Sequence, residues 1–379
     1  MSETILVTGG AGFIGSHLVD ALLAQGHHVR VFDNLEPQVH GPLREQGRWP
    51  NYCNPAAEYI LGDLRDREAL QRAMTGINAI FHEAAMVGVG QSMYQIERYV
   101  DVNTHGTAIL LDILANASSI RDQLRKLVVA SSMSIYGEGS YKCPTHGPSY
   151  PRLRSDMQLA QHNWELYCPT CGQHLAAHPT NEDKPLHPTS VYAISKKDQE
   201  ELCLTIGRTY DIPTVALRYF NVYGTRQALS NPYTGVAAIF CSRLLNNKPP
   251  VIFEDGHQSR DFVHVSDIVQ ANLLAMEEDA ANFSVFNVGS GRSLTIREVA
   301  TTLAQHLGSN AAPEIVKKFR AGDIRHCFAD ISRIETLGFQ PKVQLEDGIS
   351  ELTGWVRSQS IVDRFDNARQ EMASRGLAI

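Results

Sequence analysis

The chain has no apolar run long enough to cross a bilayer, no long basic run, no internal repeat and no low-complexity linker. Each absence removes a class of protein. A membrane-spanning helix needs about 20 consecutive apolar residues. Nucleic acid and anionic membranes call for clustered Lys and Arg, yet 34 basic residues face 41 acidic ones and the net charge is -7. Neither is therefore an expected partner. Without a repeat, solenoids and arrays drop out. Cysteine is sparse, and its count of seven is odd, which argues against a disulfide framework. Met1-Ser2-Glu3 run straight into a strand pattern with no room for a signal peptide, so a reducing cytoplasm is the expected compartment.

What is present is enough apolar material for a large core: 43% of 379 residues. That length suits two domains, or one domain with a lobe. Thr4–Thr8 is a short apolar strand, followed by glycines and an amphipathic helix over about 13–25 that Gly26 stops. Residues 28–32 read as a second strand closed by Asp33. Further strand patterns fall at 58–61, 79–82, 127–131, 214–218 and 286–288, mostly with helical patterns between them. This alternation predicts an α/β fold with a doubly wound, mainly parallel sheet of the Rossmann kind. Helical stretches at about 94–117 and 191–210 are apolar on more than one face, as core helices or a subunit interface would be.

The first turn, Thr8-Gly9-Gly10-Ala11-Gly12-Phe13-Ile14-Gly15, follows a strand and opens a helix. Gly9 permits a tight bend, Gly12 lets backbone approach a pyrophosphate, and Gly15 lets the helix pack closely on the strand. Phosphates then sit at the positive end of the helix. Asp33, ending the next strand, can accept from a ribose 2′-hydroxyl and repels a 2′-phosphate, which selects NAD over NADP. Asp63, in Gly62-Asp63-Leu64, reads either as a hold on the adenine edge or as an ordinary strand-end turn.

Tyr192-Ala193-Ile194-Ser195-Lys196 puts a phenol and an ammonium on one helix face. A free phenol has a pKa near ~10 and is a poor base, but nearby cations favour its phenolate. Lys196 and an oxidised nicotinamide would both do so. Ser132 ends an apolar strand, where its hydroxyl can bridge a substrate oxygen and Tyr192. The three residues fit proton removal from an alcohol as hydride leaves the same carbon.

Residues 137–188 break the rhythm, being rich in Pro, His, Cys and Gly. Cys143-Pro144-Thr145-His146 and Cys168-Pro169-Thr170-Cys171-Gly172 are two hooks with 21 residues between them. Four N/S ligands from such knuckles make a closed tetrahedral site typical of structural zinc. His162 and His174 rival His146 as fourth ligand. The remaining cysteines, Cys53, Cys203, Cys241 and Cys327, read as buried small residues. Because the insertion joins the strand of Ser132 to the helix of Tyr192, it is expected over the mouth of the substrate pocket.

These residues together resemble the extended short-chain dehydrogenase/reductases, specifically the NAD-dependent nucleotide-sugar epimerase/dehydratase group. The matching stretches are T-G-G-A-G-F-I-G (8–15), D-N (33–34), G-D-L (62–64), H-E-A-A (82–85), N-T-H-G-T (103–107), S-S-M-S-I-Y-G (131–137), Y-A-I-S-K (192–196), R-Y-F-N-V-Y-G (218–224), D-G-H-Q-S-R-D-F-V-H-V-S-D (255–267) and R-A-G-D (320–323). They span almost the whole chain outside the insertion. The resemblance implies that Phe13 and Ile14 line the pyrophosphate, with Asn34, Asp63 and Leu64 also on the cofactor. It places Ala84 and Ala85 at the nicotinamide ribose, Asn103 as support and Tyr219 near the carboxamide. Asn221, Arg260 and Arg320 would grip the substrate's diphosphate and nucleoside, Asp323 would lie near the nucleoside ribose, and Ser134 near the sugar. A Rossmann domain of residues 1–220 plus 262–290, a nucleotide-sugar lobe of 221–261 plus 291–379 and a homodimer through the two apolar helices are implied too.

Members of the group oxidise sugar C4 and diverge by the two residues next after the serine. Dehydratases carry an Asp-Glu pair there and decarboxylases a Glu at the second position. Here Met133 and Ser134 stand instead, and neither donates a proton near neutral pH. The simplest outcome is 4-epimerisation with NAD retained. Gln91-Ser92-Met93-Tyr94, Asn231-Pro232-Tyr233-Thr234-Gly235 and the insertion are most similar to members acting on dTDP-L-rhamnose and dTDP-6-deoxy-L-talose, with UDP-hexose or UDP-N-acetylhexosamine second. A non-catalytic NAD-sensing relative and a net dehydrogenase releasing NADH are the competing classes.

Overall fold

The computed structural model describes residues 2–377. Its centre is a seven-stranded parallel sheet: β1 (Thr4–Thr8), β2 (His28–Asp33), β3 (Glu58–Leu61), β4 (Ala79–His82), β5 (Lys126–Ser132), β6 (Thr214–Tyr219) and β7 (Ser284–Val288). The strand order is β7-β6-β5-β4-β1-β2-β3. The chain builds outward from β1 to β3, then crosses back to lay β4 on the other side of β1. That reversal leaves a crevice at the carboxyl ends of β1 and β4, where open α/β sheets bind ligands.

Helices cover both faces, so the strands are apolar almost throughout. In β1, Ile5 and Val7 pack with Leu18, Val31 and Phe81 on one face. Leu6 joins Phe32, Ile80 and Leu110 on the other. The period of two is the expected signature of a strand. Helix α1 (Phe13–Ala24) turns Gly15, Leu18, Val19 and Leu22 inward, the stripe that its sequence spacing predicts.

The stretch at 94–117 is not one regular helix. A turn at Ile96–Tyr99 leads into a π-helical segment, Val100–His105, before α2 (Gly106–Asn116). The wide turn carries Asn103, whose side chain binds the Met86 backbone instead of lying along the helix. Helix α3 (Val191–Thr209) starts at Ser190, whose hydroxyl accepts from Ala193 N–H. A buried ion pair pins α3 to the sheet: Glu200 takes Arg218 of β6 bidentately and the Ser131 hydroxyl of β5. Lys196 and Tyr192, one and two turns earlier on α3, are thereby fixed over the strand ends.

After β6 the chain leaves the sheet. Asn221–Tyr223 pairs in parallel with Phe262–His264, and Val236–Leu245, Ile296–Leu307 and Leu345–Val356 pack around Phe240, Ile252, Val299 and Leu352. This lobe rises over the crevice. The insertion is more regular than its composition suggests, and it sits elsewhere than expected. It has a three-stranded antiparallel sheet, with Ser140–Cys143 between Gly147–Ser149 and Ala176–His178, and a small apolar cluster of Tyr141, Cys143, Leu166, Cys168 and Leu175. Nor does it cover the pocket mouth, since no residue from 138 to 188 lines the cleft. Its charged side chains, Arg154 and Glu165, pair with Glu254 and Arg325 of the lobe.

Candidate active site

One cleft of about 620 Å³ runs from the glycine turn to the lobe. It brings together the glycines, Phe13, Ile14, Asp33, Asn34, Asp63, Leu64, Ala84 and Ala85 at one end, and Ser132, Ser134, Tyr192, Lys196 and Tyr219 in the middle. Asn221, Arg260, Arg320 and Asp323 line the other end.

The glycine turn is built for close approach. Gly9 has φ +70°, and a Cβ there would lie 2.8 Å from Ala84 backbone. A Cβ on Gly15 would lie 2.3 Å from the Gly9 carbonyl oxygen. No side chain caps the N-terminus of α1, so its first-turn N–H groups remain open for an anion. The Asp33 carboxylate accepts from Ala11 N–H at 3.0 Å and Leu35 N–H at 2.8 Å, while burial pushes its pKa up. Each oxygen keeps a lone pair for a ribose hydroxyl. Asp63 is held by Arg65, whose Nε and Nη2 each donate at 2.8 Å, and by Asn34 Nδ2 at 3.0 Å. Those bonds hold its carboxyl well below the usual range. These features fit a dinucleotide at this end.

Ser132 ends β5, and its hydroxyl accepts from Ser134 N–H at 3.2 Å and Ser134 Oγ at 2.9 Å. Burial raises the pKa of the Tyr192 phenol, and the neighbouring Ser132 hydroxyl pulls it back. The Lys196 ammonium, the cation expected to favour the Tyr192 phenolate, donates to Gln199 Oε1 at 2.7 Å. Burial brings that ammonium down to about 8, against the opposing charge of Glu83. Gln199 continues to Thr107 and to His82, which burial and then Lys196 hold neutral with a pKa of about 3. Met133 is buried with Tyr136, Phe220 and Ile324, so no carboxylate follows the serine.

Two residues take their part from contacts that only the fold brings together. Asn103 does not line the cleft: it binds the backbone of Met86 through both amide atoms and the Ser195 hydroxyl at 2.9 Å. Its part is to hold the strand-end loop against α3. Glu83 escaped the sequence reading, although H-E-A-A contains it. It lines the cleft beside Tyr219, and burial lifts its pKa to about 7.

At the lobe end, Asn221 Oδ1 is buried without a hydrogen-bond partner. Arg260 donates to the carbonyls of Ser259, Ile324 and Arg325 and forms no ion pair among the described residues, leaving its charge for a ligand. Arg320 pairs with Asp323 at 2.8 Å and lies over the Phe253 ring. The segments around Gln91 and Asn231 meet through Gln38, and Tyr94 meets Tyr233 at 2.5 Å. The C-terminal helix Phe365–Ser374 adds Phe365, Ala368 and Met372 to the wall. Nothing in its sequence pattern marks it as lining a site.

In the insertion, Cys143, His146, Cys168 and Cys171 bring their ligand atoms within 4.8 Å of one another. Neither rival histidine joins them: His162 stacks on Trp164, and His174 faces Glu165.

Known proteins share this plan. The family described as NAD dependent epimerase/dehydratase matches residues 5–163 and 164–289. A dTDP-L-rhamnose 4-epimerase of Burkholderia thailandensis is 33% identical, over 94% of this chain and 96% of the relative. A putative UDP-glucose 4-epimerase of Methanocaldococcus jannaschii is 31% identical, over 94% and 99%. A crystal structure of Thermotoga maritima UDP-glucose 4-epimerase with UDP-glucose superposes with TM-score 0.74 at 32% identity, over 93% of this chain and 98% of that one. Thermus thermophilus UDP-glucose 4-epimerase in complex with NAD gives TM-score 0.72 at 29% identity, over 94% and 100%. Glycine turn, Ser-Tyr-Lys centre and lobe arginine thus stand in a chain that belongs to the NAD-dependent epimerase/dehydratase family.

Proposed function

We propose that the protein is a nucleotide-sugar 4-epimerase that retains its NAD and interconverts dTDP-L-rhamnose and dTDP-6-deoxy-L-talose. The observation that carries this reading is the setting of Ser132: Tyr192 and Lys196 line the same stretch of the cleft, and Met133 and Ser134 stand in place of carboxylates. Bound NAD supplies the acceptor, and then the donor, of the C4 hydride.

The chain's residues do the rest. The open first turn of α1, with Phe13 and Ile14, holds the pyrophosphate, and Asp33 the adenosine ribose. Asn34, Asp63 and Leu64 face the adenine. Ala84, Ala85, Lys196 and Tyr219 border the nicotinamide half, with Asn103 behind them. Tyr192, as phenolate, takes the proton of the C4 hydroxyl while Ser132 orients that oxygen. The positive charge of Lys196 favours the phenolate. Arg260 and Asn221 fix the diphosphate, and Arg320 and Asp323 the nucleoside. With the diphosphate held firmly and the hexose loosely, the keto sugar turns about its tether. Tyr192 then returns the proton with the opposite face presented.

In this reading residues 1–220 and 262–290 serve the cofactor, and 221–261 and 291–379 the substrate. The apolar side chains of Ile96, Val100 and Ile194, exposed on the two helical stretches, suit a homodimer. The cysteines are free thiols, which suits the cytoplasm. The four-ligand cluster suits structural zinc. No helix among the described residues is long and apolar enough to cross a membrane. A UDP-hexose or UDP-N-acetylhexosamine substrate is the second reading, supported by the relatives whose names carry UDP-sugars.

Product NMR with dTDP-L-rhamnose and with UDP-hexoses, without added NAD, tests this. The 6-deoxytalose sugar is expected from the first. Inertness toward dTDP-6-deoxyhexoses with turnover of UDP-hexoses selects the second reading, and stoichiometric NADH release overturns epimerisation itself. Tyr192→Phe is expected to lower turnover by about 10²–10⁴-fold with NAD still bound. Full activity would remove Tyr192 from the role.

A further inference from the structure

The insertion lines no part of the cleft, and it carries four N/S ligands whose arrangement matches a metal polyhedron. Cys143 Sγ lies 3.6 Å from Cys171 Sγ and 3.6 Å from His146 Nδ1, and Cys168 Sγ lies 3.5 Å from the same nitrogen. A tetrahedral zinc with Zn–S bonds of about 2.3 Å sets its sulfurs about 3.8 Å apart. A disulfide needs about 2.05 Å between the sulfurs. The observed spacing is therefore a polyhedron edge and not a bond.

The knuckle reaches the nucleotide end of the cleft through a short series of contacts. Glu165, three residues before Cys168, takes Arg325 at 2.5 Å. Tyr141, two residues before Cys143, donates to Glu138 Oε2 at 2.9 Å, and Glu138 Oε1 accepts the Arg325 N–H at 2.7 Å. Arg325 is thus gripped by insertion residues at both side chain and backbone. Its own carbonyl accepts from Arg260 Nη1 at 2.9 Å, and the carbonyl of Ile324 accepts from Arg260 Nη2 at 2.7 Å. These bonds aim the guanidinium that faces the cleft.

The geometry points to a structural zinc at Cys143, His146, Cys168 and Cys171 that braces the nucleotide-binding wall, so that metal occupancy governs the grip on the nucleoside diphosphate and leaves NAD binding alone. The second half rests on the reading of Arg260 as the diphosphate contact. The insertion has two small apolar clusters, and in the one around the knuckle two of the five members are ligands. A metal would tie the strand that leads to Glu138 to the hook that follows Glu165, and so keep the two carboxylates in register. The glycine turn and Asp33 lie on β1, α1 and β2, which the insertion does not buttress.

The test uses the whole protein. Metal analysis is expected to find one zinc per chain, and cobalt substitution to give the visible bands of a tetrahedral thiolate site. Calorimetric titration with UDP and with dTDP then reads the wall. Cys168→Ser is expected to lose the metal and to weaken nucleotide diphosphate binding about tenfold, with NAD content unchanged. Glu165→Gln is expected to keep the zinc and weaken the same binding, mainly through KM and not kcat. This variant keeps the brace testable should the cysteine variant misfold. Protein that neither contains zinc nor takes it up overturns the metal site. Zinc loss with unchanged nucleotide affinity overturns the brace and leaves the epimerase reading standing. Wild-type protein that binds neither nucleotide overturns that reading and the brace together, while its zinc content still decides the site.

Discussion

The Tyr219 hydroxyl donates to the Glu83 carboxylate at 2.8 Å, on the wall of the cleft that leads to Tyr192. Tyr219 in turn accepts from Asn272 Nδ2 at 2.7 Å, so the phenol is fixed from both sides. Burial keeps its pKa well above the usual value, and it stays protonated. The carboxyl is the member of this pair that titrates.

Glu83 makes stability fall as pH rises toward neutrality. Burial lifts its pKa from 4.5 to about 7, with Tyr219 and then Lys196 pulling it back. The folded protein therefore binds this proton more tightly than the unfolded chain does. Its contribution is full below pH 4.5, shrinks between there and about 7, and is gone above. The shift corresponds to about 3 kcal/mol. Urea unfolding of NAD-free protein at pH 5 and pH 8 should show a loss of this order relative to Glu83→Gln. Equal pH dependence in both proteins would show that the carboxyl titrates as it does in water.

The parts of this arrangement that can be read from sequence are those whose chemistry fixes local spacing. Gly9, Gly12 and Gly15 announce themselves because only a residue without Cβ fits beside Ala84 and the Gly9 carbonyl. Tyr192 and Lys196 do so because one helical turn places both on one face. The parallel sheet is legible because its strands are buried on both sides. What stays hidden depends on contacts far apart in the chain. Glu83 is an acid in an apolar segment, and its meaning comes from Tyr219, 136 residues later. Asn103 reads only as support for the site, and what it supports comes from a π-helical turn that aims it at Met86. The insertion docks on the lobe instead of covering the cleft mouth, because Arg154 and Glu165 have their partners at Glu254 and Arg325, 100 and 160 residues away.

The glycine turn gives a prediction with a steric cause. A Cβ on Gly15 would come within 2.3 Å of the Gly9 carbonyl oxygen and 2.8 Å of the Gly10 Cα. Both neighbours are backbone and cannot swing aside. Gly15→Ala must shift either α1 or the turn, a strain of about 1–3 kcal/mol. Purified Gly15→Ala is expected to carry little or no NAD and to melt several degrees lower, measured by cofactor release after denaturation and by calorimetry. NAD retained at the wild-type level would mean that the turn has room the structure does not show.

Arg260 gives the clearest separation of binding from chemistry. Its Nη1 and Nη2 are spent on three carbonyls, yet its positive charge has no carboxylate partner among the described residues and opens on the cleft. Lysine carries the same charge on a flexible stem, without the planar fork that those carbonyls orient. Arg260→Lys should therefore keep a cation nearby but lose its aim. KM for the nucleotide sugar is expected to rise about 10-fold, near the 1.5–3 kcal/mol of a charge-assisted hydrogen bond. Turnover at saturation should stay within a few-fold, since Ser132, Tyr192 and Lys196 are untouched. Steady-state kinetics with Arg260→Lys and Arg260→Ala checks this, and lysine should recover part of what alanine loses. A fall in kcat at constant KM would instead place Arg260 at the reacting sugar and take it away from the diphosphate.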